Sequence, residues 1–175
     1  SKLPLQCLRL YTTREMVRRA NDRDCEGFPG ETNVIKSHDN YVGNKGTALS
    51  TLKETGLSKT LFLKIDMPVM LIQNINVPQA WVNGTITQVD YINDENICLR
   101  RESKKGALEE DIYYIQRVNR DARGTSYTRS QFLIVRAFAS TIHKAQSATI
   151  DRVAIHLDRM LNHGQLYVAM SRVGK

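Results

Sequence analysis

The sequence predicts an α/β protein in which a small antiparallel β-barrel interrupts the α/β elements. Three observations lead there. The chain opens on a strand and a capped helix, its last third alternates strand and helix, and about 45 residues between them form short β-like runs separated by turns. The 175 residues suffice for one domain, or one carrying a small insertion, and 41% hydrophobic with 25% charged residues argues against disorder, collagen and coiled coil. Lys and Arg number 25 against 18 Asp and Glu, and the net charge of +7 favours a polyanionic partner such as nucleic acid or nucleotide.

Leu8 to Tyr11 reads as a short strand. Thr12-Thr13-Arg14-Glu15 then supplies a capping box, with Thr12 as N-cap, for a helix running to about Asp24. Met16, Val17 and Ala20 form its apolar side, with Arg14, Arg18 and Asn21 opposite. Asp39 to Thr60 is rich in Gly, Asn, Ser, Thr and Lys and reads as a surface excursion with one helical stretch, Ala48 to Glu54, closed by Gly56. Strands are expected at Leu61 to Ile65 and Pro68 to Ile72. After a turn at Asn83-Gly84 they are expected at Thr85 to Ile92, Asn96 to Arg100 and Ile112 to Val118, with turns at Asp94 to Asn96 and Ser103 to Gly106. Met67 to Val89 has no formal charge over 23 residues, yet its Gln, Asn and Pro residues make it a buried strand and turn rather than a membrane span. Gln131 to Ala139 is an almost continuous apolar run, broken by Arg136, of the kind a doubly covered parallel strand requires. Ser140 would cap a short helix, Thr141 to Ala148; a strand at Asp151 to Leu157 and a helix at Gly164 to Val173 follow.

Several chemistries lack their residues. There is no G-x-x-x-x-G-K-[ST] phosphate loop, since the only Gly-Lys pair, Gly174-Lys175, meets the chain end. The only Asp-Glu pair, Asp94-Glu95, sits in a predicted turn rather than at a strand end where it would hold magnesium. G-x-S-x-G, H-E-x-x-H and metal-ligand spacing among the four histidines are absent. Cys7, Cys25 and Cys98 are widely spaced, so neither a disulfide framework nor zinc is suggested and a reducing compartment fits best. No targeting segment is visible. A complete, self-contained enzyme is not expected.

The distinctive stretch is Ala139 to Thr149, with Asp151 to His156 and then His163 to Arg172. Hydroxyls, an imidazole, a lysine and an amide gathered at a strand-to-helix turn are good donors to phosphate oxygens. Read by residue type alone, Ser140 and Thr141 serve equally well as ordinary N-caps and His143 as a solvated histidine. Arg172 is either a helix C-terminal charge complement or an arginine that reaches a neighbouring domain.

Thr141-Ile-His-Lys-Ala-Gln146, together with Gly164-Gln-Leu-Tyr-Val-Ala-Met-Ser-Arg172, resembles motifs V and VI of the petite-integration-frequency (Pif-type) DNA helicases, to which the helicase parts of Helitron elements are related. Leu63 to Asn74 and Val82 to Thr85 look like that family's strand and turn leading into its small barrel, and Leu10 to Asn21 is similar to its motif IV region. The resemblance implies the second RecA-like domain of a superfamily-one 5′-to-3′ helicase, residues 1–84 and 131–175, with a Src-homology-three-like barrel inserted at 85–130. It implies that ATP and Mg2+ are held mainly by a first RecA-like domain outside this sequence. Thr12, Thr13, Thr141, His143, Lys144 and Gln146 would then contact single-stranded DNA, Gln165 and Tyr167 would lie near ATP, and Arg172 would act as an arginine finger on the γ-phosphate. The implied partners are single-stranded DNA, DNA junctions and that first domain, with no membrane. The implied location is intracellular, in nucleus or mitochondrion, with roles in repair, recombination and telomere maintenance.

Ser147 stands where the family usually has Gly, which puts the coupling of ATP and DNA sites in question and leaves room for a decayed transposon-borne helicase. A competing reading is a non-enzymatic module: nine Arg or Lys against five acids lie between Arg100 and Arg136, and Arg100, Arg101, Lys104 and Lys105 would carry nucleic-acid or protein binding.

Overall fold

The computed structural model describes residues 8–101, 111–145 and, for their backbone, 153–155. Along the chain, β1 (Leu8–Tyr11) leads into α1 (Arg14–Gly27), followed by β2 (Asn33–Lys36), β3 (His38–Asn40) and α2 (Lys45–Leu52). β4 (Thr60–Leu63), β5 (Pro68–Leu71), β6 (Ile86–Ile92), β7 (Asn96–Arg101) and β8 (Asp111–Gln116) come next. The order closes with β9 (Val118–Asp121), β10 (Thr128–Gln131), β11 (Ile134–Arg136), β12 (Ala139–Thr141), α3 (Ile142–Ala145) and β13 (Val153–Ile155). Among the described residues no helix is long and apolar enough to cross a membrane. Cys25 and Cys98 are buried and form no disulfide.

The chain divides into two compact units. The first comprises residues 1–29, 66–88 and 134–175. Its parallel sheet has the order β12-β1-β13, with Arg9 opposite Ala139, Tyr11 opposite Thr141 and Leu10 opposite Ile155. β5 pairs antiparallel with β11 and with the start of β6. Leu8, Leu10, Met70, Ala137, Ile142 and Ala145 form a buried cluster, against which Ile86 and Val135 pack.

α1 begins one residue later than the capping box suggests. Thr13, in extended backbone, accepts the Met16 amide on Oγ1 at 3.3 Å, while the Thr12 hydroxyl lies 4.0 Å from Met16 Sδ. The helix runs past Asp24 because Cys25 continues its buried side. Thr13→Ala removes the acceptor for an end amide and is expected to lower stability by about 1 kcal/mol, read as a shift in the thermal melt. Asn21, expected among the solvent-side residues, is 6% exposed.

Residues 131–139 are not one parallel strand. Gln131 ends β10, Ile134–Arg136 pair antiparallel with β5, and the chain changes partner to lie parallel to β1 from Ala139. Burial demands apolar residues in each piece, so composition cannot mark the change of partner. Ser140 is correspondingly a strand residue, and Thr141 caps α3, accepting the Lys144 amide at 3.3 Å. The expected helix at 164–173 and the turn at 103–106 lie outside the described residues.

The second unit comprises residues 30–65 and 89–133. Residues 30–65 thus group with 89–133, whereas the sequence pattern assigns them to the first body. β2 pairs antiparallel with β4, β10 lies between β3 and β9, and β7 pairs with β8 along six residues. Asp39 to Thr60 is no simple surface excursion: Ala48, Leu52, Thr55 and Leu57 are buried, and β3 is laddered onto β10. Asn44 caps α2 through Gly46 and Thr47, and a 3-10 turn at Lys53–Thr55 ends at Gly56, whose φ of 71° is a left-handed stop.

At the centre of this unit Arg129, 2% exposed, grips Asp39 with two bonds, Nε to Oδ1 at 2.7 Å and Nη2 to Oδ2 at 2.8 Å. Its Nη1 donates to the Leu57 carbonyl at 3.1 Å. Asp39 also accepts from the Ser37 hydroxyl at 2.8 Å. The Arg129 bonds hold the Asp39 carboxyl below its ordinary value of 3.8, against the opposing effect of burial.

A candidate DNA-contacting edge at the ends of two parallel strands

β1 and β12 run parallel with Tyr11 opposite Thr141, and each is followed at once by a helix, so α1 and α3 start at the same edge of the sheet. The carboxyl ends of parallel strands are where α/β sheets bind ligands, because chain reversals there gather side chains and amide donors. Five of the residues singled out in the sequence are grouped there: Thr12 and Thr13 at the start of α1, and Thr141, His143 and Lys144 at the end of β12 and on α3.

α3 is oriented by its apolar residues. Ile142 and Ala145, three apart, are 3% and 1% exposed and belong to the core, which turns His143 and Lys144 outward. Thr13 and Thr141 each accept a helix amide with one lone pair, and each hydroxyl proton remains for a further acceptor. The edge therefore presents hydroxyl, imidazole and ammonium groups, which suit phosphate oxygens and carry no base preference. Gln146, Ser147 and the ATP set, Gln165, Tyr167 and Arg172, lie outside the described residues.

Two residues that sequence reasoning missed stand behind this edge. Asn21 Nδ2 donates to the Ala139 carbonyl at 3.0 Å, and the Ala139 amide donates to Asn21 Oδ1 at 3.0 Å. Arg136 Nη2 pairs with Asp22 Oδ1 at 2.5 Å. A signal for Asn21 existed, since it lies four residues after Val17 and four before Cys25, on the buried stripe.

The arginines of the competing reading are engaged within the second unit. Arg100 pairs with Asp90 at 3.2 Å and Arg101 with Asp111 at 2.5 Å. Lys104 and Lys105 lie outside the described residues. Asp94 and Glu95 fall in the turn between β6 and β7, where the Glu95 and Asn96 amides bond Asn93 Oδ1, so this pair does not fit a magnesium site.

Residues 48–91 match the family model described as DNA helicase Pif1, 2B domain. The chain is 31% identical over 167 residues to an ATP-dependent DNA helicase Pif1 of Bdellovibrio bacteriovorus, an alignment covering 94% of this chain and 36% of that protein. Among solved structures, the Pif1 helicase from Candida albicans superposes with a TM-score of 0.77 at 25% identity, covering 98% of this chain and 44% of that one. The Bacteroides Pif1 helicase in complex with ADP-AlF3 and ssDNA shares the fold, with a TM-score of 0.70 at 21% identity over the whole of this chain and 40% of that one. The chain thus spans between about a third and somewhat under half of the length of these proteins.

Proposed function

The chain is a relative of the Pif1-type DNA helicases, and from that premise we propose that it is the C-terminal motor portion of an ATP-dependent 5′-to-3′ DNA helicase. The observation that carries the reading is the common edge formed by β1-α1 and β12-α3, with Thr13, Thr141, His143 and Lys144 at the strand ends. In this reading residues 1–84 and 131–175 belong to the second RecA-like domain and residues 85–130 are the inserted small barrel. Thr12, Thr13, Thr141, His143, Lys144 and Gln146 bind the backbone of single-stranded DNA, including strands at junctions. Gln165, Tyr167 and Arg172 face ATP across a cleft whose other wall is a first RecA-like domain. That first domain supplies the phosphate loop and the magnesium ligands, since the carboxylate pair present here sits in a hairpin turn. The parent protein works inside the cell, in nucleus or mitochondrion, in DNA repair, recombination and telomere maintenance.

This division of labour makes hydrolysis depend on closure of two bodies, because phosphoryl transfer relies on positioning and charge stabilisation that one body alone lacks. DNA-stimulated ATP hydrolysis is therefore expected only when the upstream domain of the parent protein is joined or added. Activity of this chain alone would contradict the shared site. In a salt-titrated binding assay, Lys144→Ala is expected to weaken single-stranded DNA binding and lower the slope of log K against log salt by about one. Neutralising Lys104 and Lys105 is expected to leave that slope nearly unchanged. The reverse pattern would transfer the binding to the barrel.

A further inference from the structure

We infer that Asn21 is a positioning residue for the single-stranded DNA edge: its amide holds β12 in the register that sets Thr141 and His143 beside the start of α1. The inference rests on the assignment of that edge to DNA.

In a parallel ladder the amide and carbonyl of one residue point to the same side, and alternate residues serve opposite neighbours. β1 engages β12 through Phe138, whose carbonyl accepts from the Arg9 amide at 3.2 Å. Ala139 therefore turns both its polar groups the other way, where Asn21 meets them with one donor and one acceptor, each at 3.0 Å. The side-chain amide stands in for a peptide unit of a further strand. Asn21 and Ala139 are both buried and 118 residues apart in sequence, so this is a tertiary clamp and not a local turn.

Two further ties fix the helix that carries the clamp. Arg136, just before β12, pairs with Asp22 and donates through Nη1 to the Asn21 carbonyl at 3.5 Å. Arg9 on β1 forms an ion pair with Asp24. α1 is thus tied to the central strand and to both sides of the turn into β12. From Ala139 to Thr141 is two residues of extended chain, about 7 Å, with no joint to absorb an error. A displacement at the clamp passes to Thr141, and through it to His143 and Lys144.

The residue type supports positioning over simple burial. An apolar residue would serve a core role, as Ala20 and Cys25 do on the same helix, but would leave the Ala139 amide and carbonyl unpaired. A carboxylate would accept from the amide and repel the carbonyl. Among neutral side chains of this length, the amide alone matches both groups, and it does so at a single register.

The test uses the full-length protein and a fluorescein-labelled oligothymidine, with anisotropy read across a salt series for Asn21→Ala, Asn21→Gln and Lys144→Ala. Asn21→Ala is expected to weaken binding about tenfold, because phosphate contacts misplaced by a fraction of an ångström are largely lost. Its salt slope should become shallower, as in Lys144→Ala, while nucleotide affinity measured without DNA stays at the wild-type value. Asn21→Gln keeps the amide on a longer stem; it is expected to recover thermal stability relative to Asn21→Ala without recovering the salt slope. A merely structural role would lower the melting temperature and leave the slope unchanged in the folded protein. Wild-type affinity and slope in folded Asn21→Ala or Asn21→Gln, with Lys144→Ala impaired, would overturn the role of Asn21. An unimpaired Lys144→Ala would instead overturn the DNA edge itself, and the positioning role with it.

Discussion

Arg172→Ala in the full-length protein is expected to lower DNA-stimulated ATP hydrolysis by about 10³-fold or more, the range over which arginine fingers act. The effect belongs to the proposed role in which the guanidinium meets charge that develops on the transferred phosphoryl group. Binding of single-stranded DNA should fall only modestly, since the edge proposed for DNA is formed by β1-α1 and β12-α3. Arg172→Lys keeps the charge and loses the planar fork, so it should recover little of the rate. If Arg172 only complements a helix C-terminus, its loss would cost about 0.3–1 kcal/mol of stability and leave turnover intact. Measuring kcat, DNA affinity and melting temperature on the same variant separates the two, and near-normal hydrolysis would remove Arg172 from the mechanism.

The second large effect lies in the polar centre of the other unit. Arg129→Met strands the Asp39 carboxylate, 11% exposed, and leaves the Leu57 carbonyl without its donor. A loss of about 3–5 kcal/mol is expected, because a buried charge that loses its partner keeps its desolvation penalty. The paired change Asp39→Leu with Arg129→Met should recover much of this in chemical denaturation, since it removes the buried charge together with its partner. The same contact sets a pH dependence. Asp39 titrates lower in the folded protein than in the unfolded chain, so its stabilising contribution is complete above the unfolded value near 3.8. That contribution is lost as pH falls through the lower folded value. Wild type should therefore lose stability on acidification below about pH 4 more steeply than the doubly substituted protein, whose stability is measured over the same range.

What can be read from residues alone follows from how locally each feature is encoded. β1 alternates buried leucines with partly exposed residues, β5 is an apolar run bounded by turns, and the cap at Thr13 lies within one residue of the expected position. The strand-to-helix turn at this point is also legible over four or five residues, although its cap is Thr141 rather than the expected Ser140. Asp39 to Thr60 misleads because its burial depends on a partner 90 residues away: polarity reads as exposure until Arg129 is placed against Asp39. Asn21 misleads for the same reason, its stripe position being overruled by its polarity. The change of partner between β11 and β12 is invisible in composition, since two buried strands in succession look like one.

The placement of β1 has a consequence for the order of folding. Residues 8–11 are flanked on both sides by strands drawn from 139–141 and 153–155. The parallel sheet of the first unit therefore closes loops of well over a hundred residues, whereas the pairings of the second unit lie within residues 33–131. During synthesis β1 cannot form these two pairings until β12 and then β13 have emerged, and sequence-distant parallel pairing is slow even then. Of the two units, the second can complete its ladders first, and the sheet whose edge is assigned to DNA closes after it.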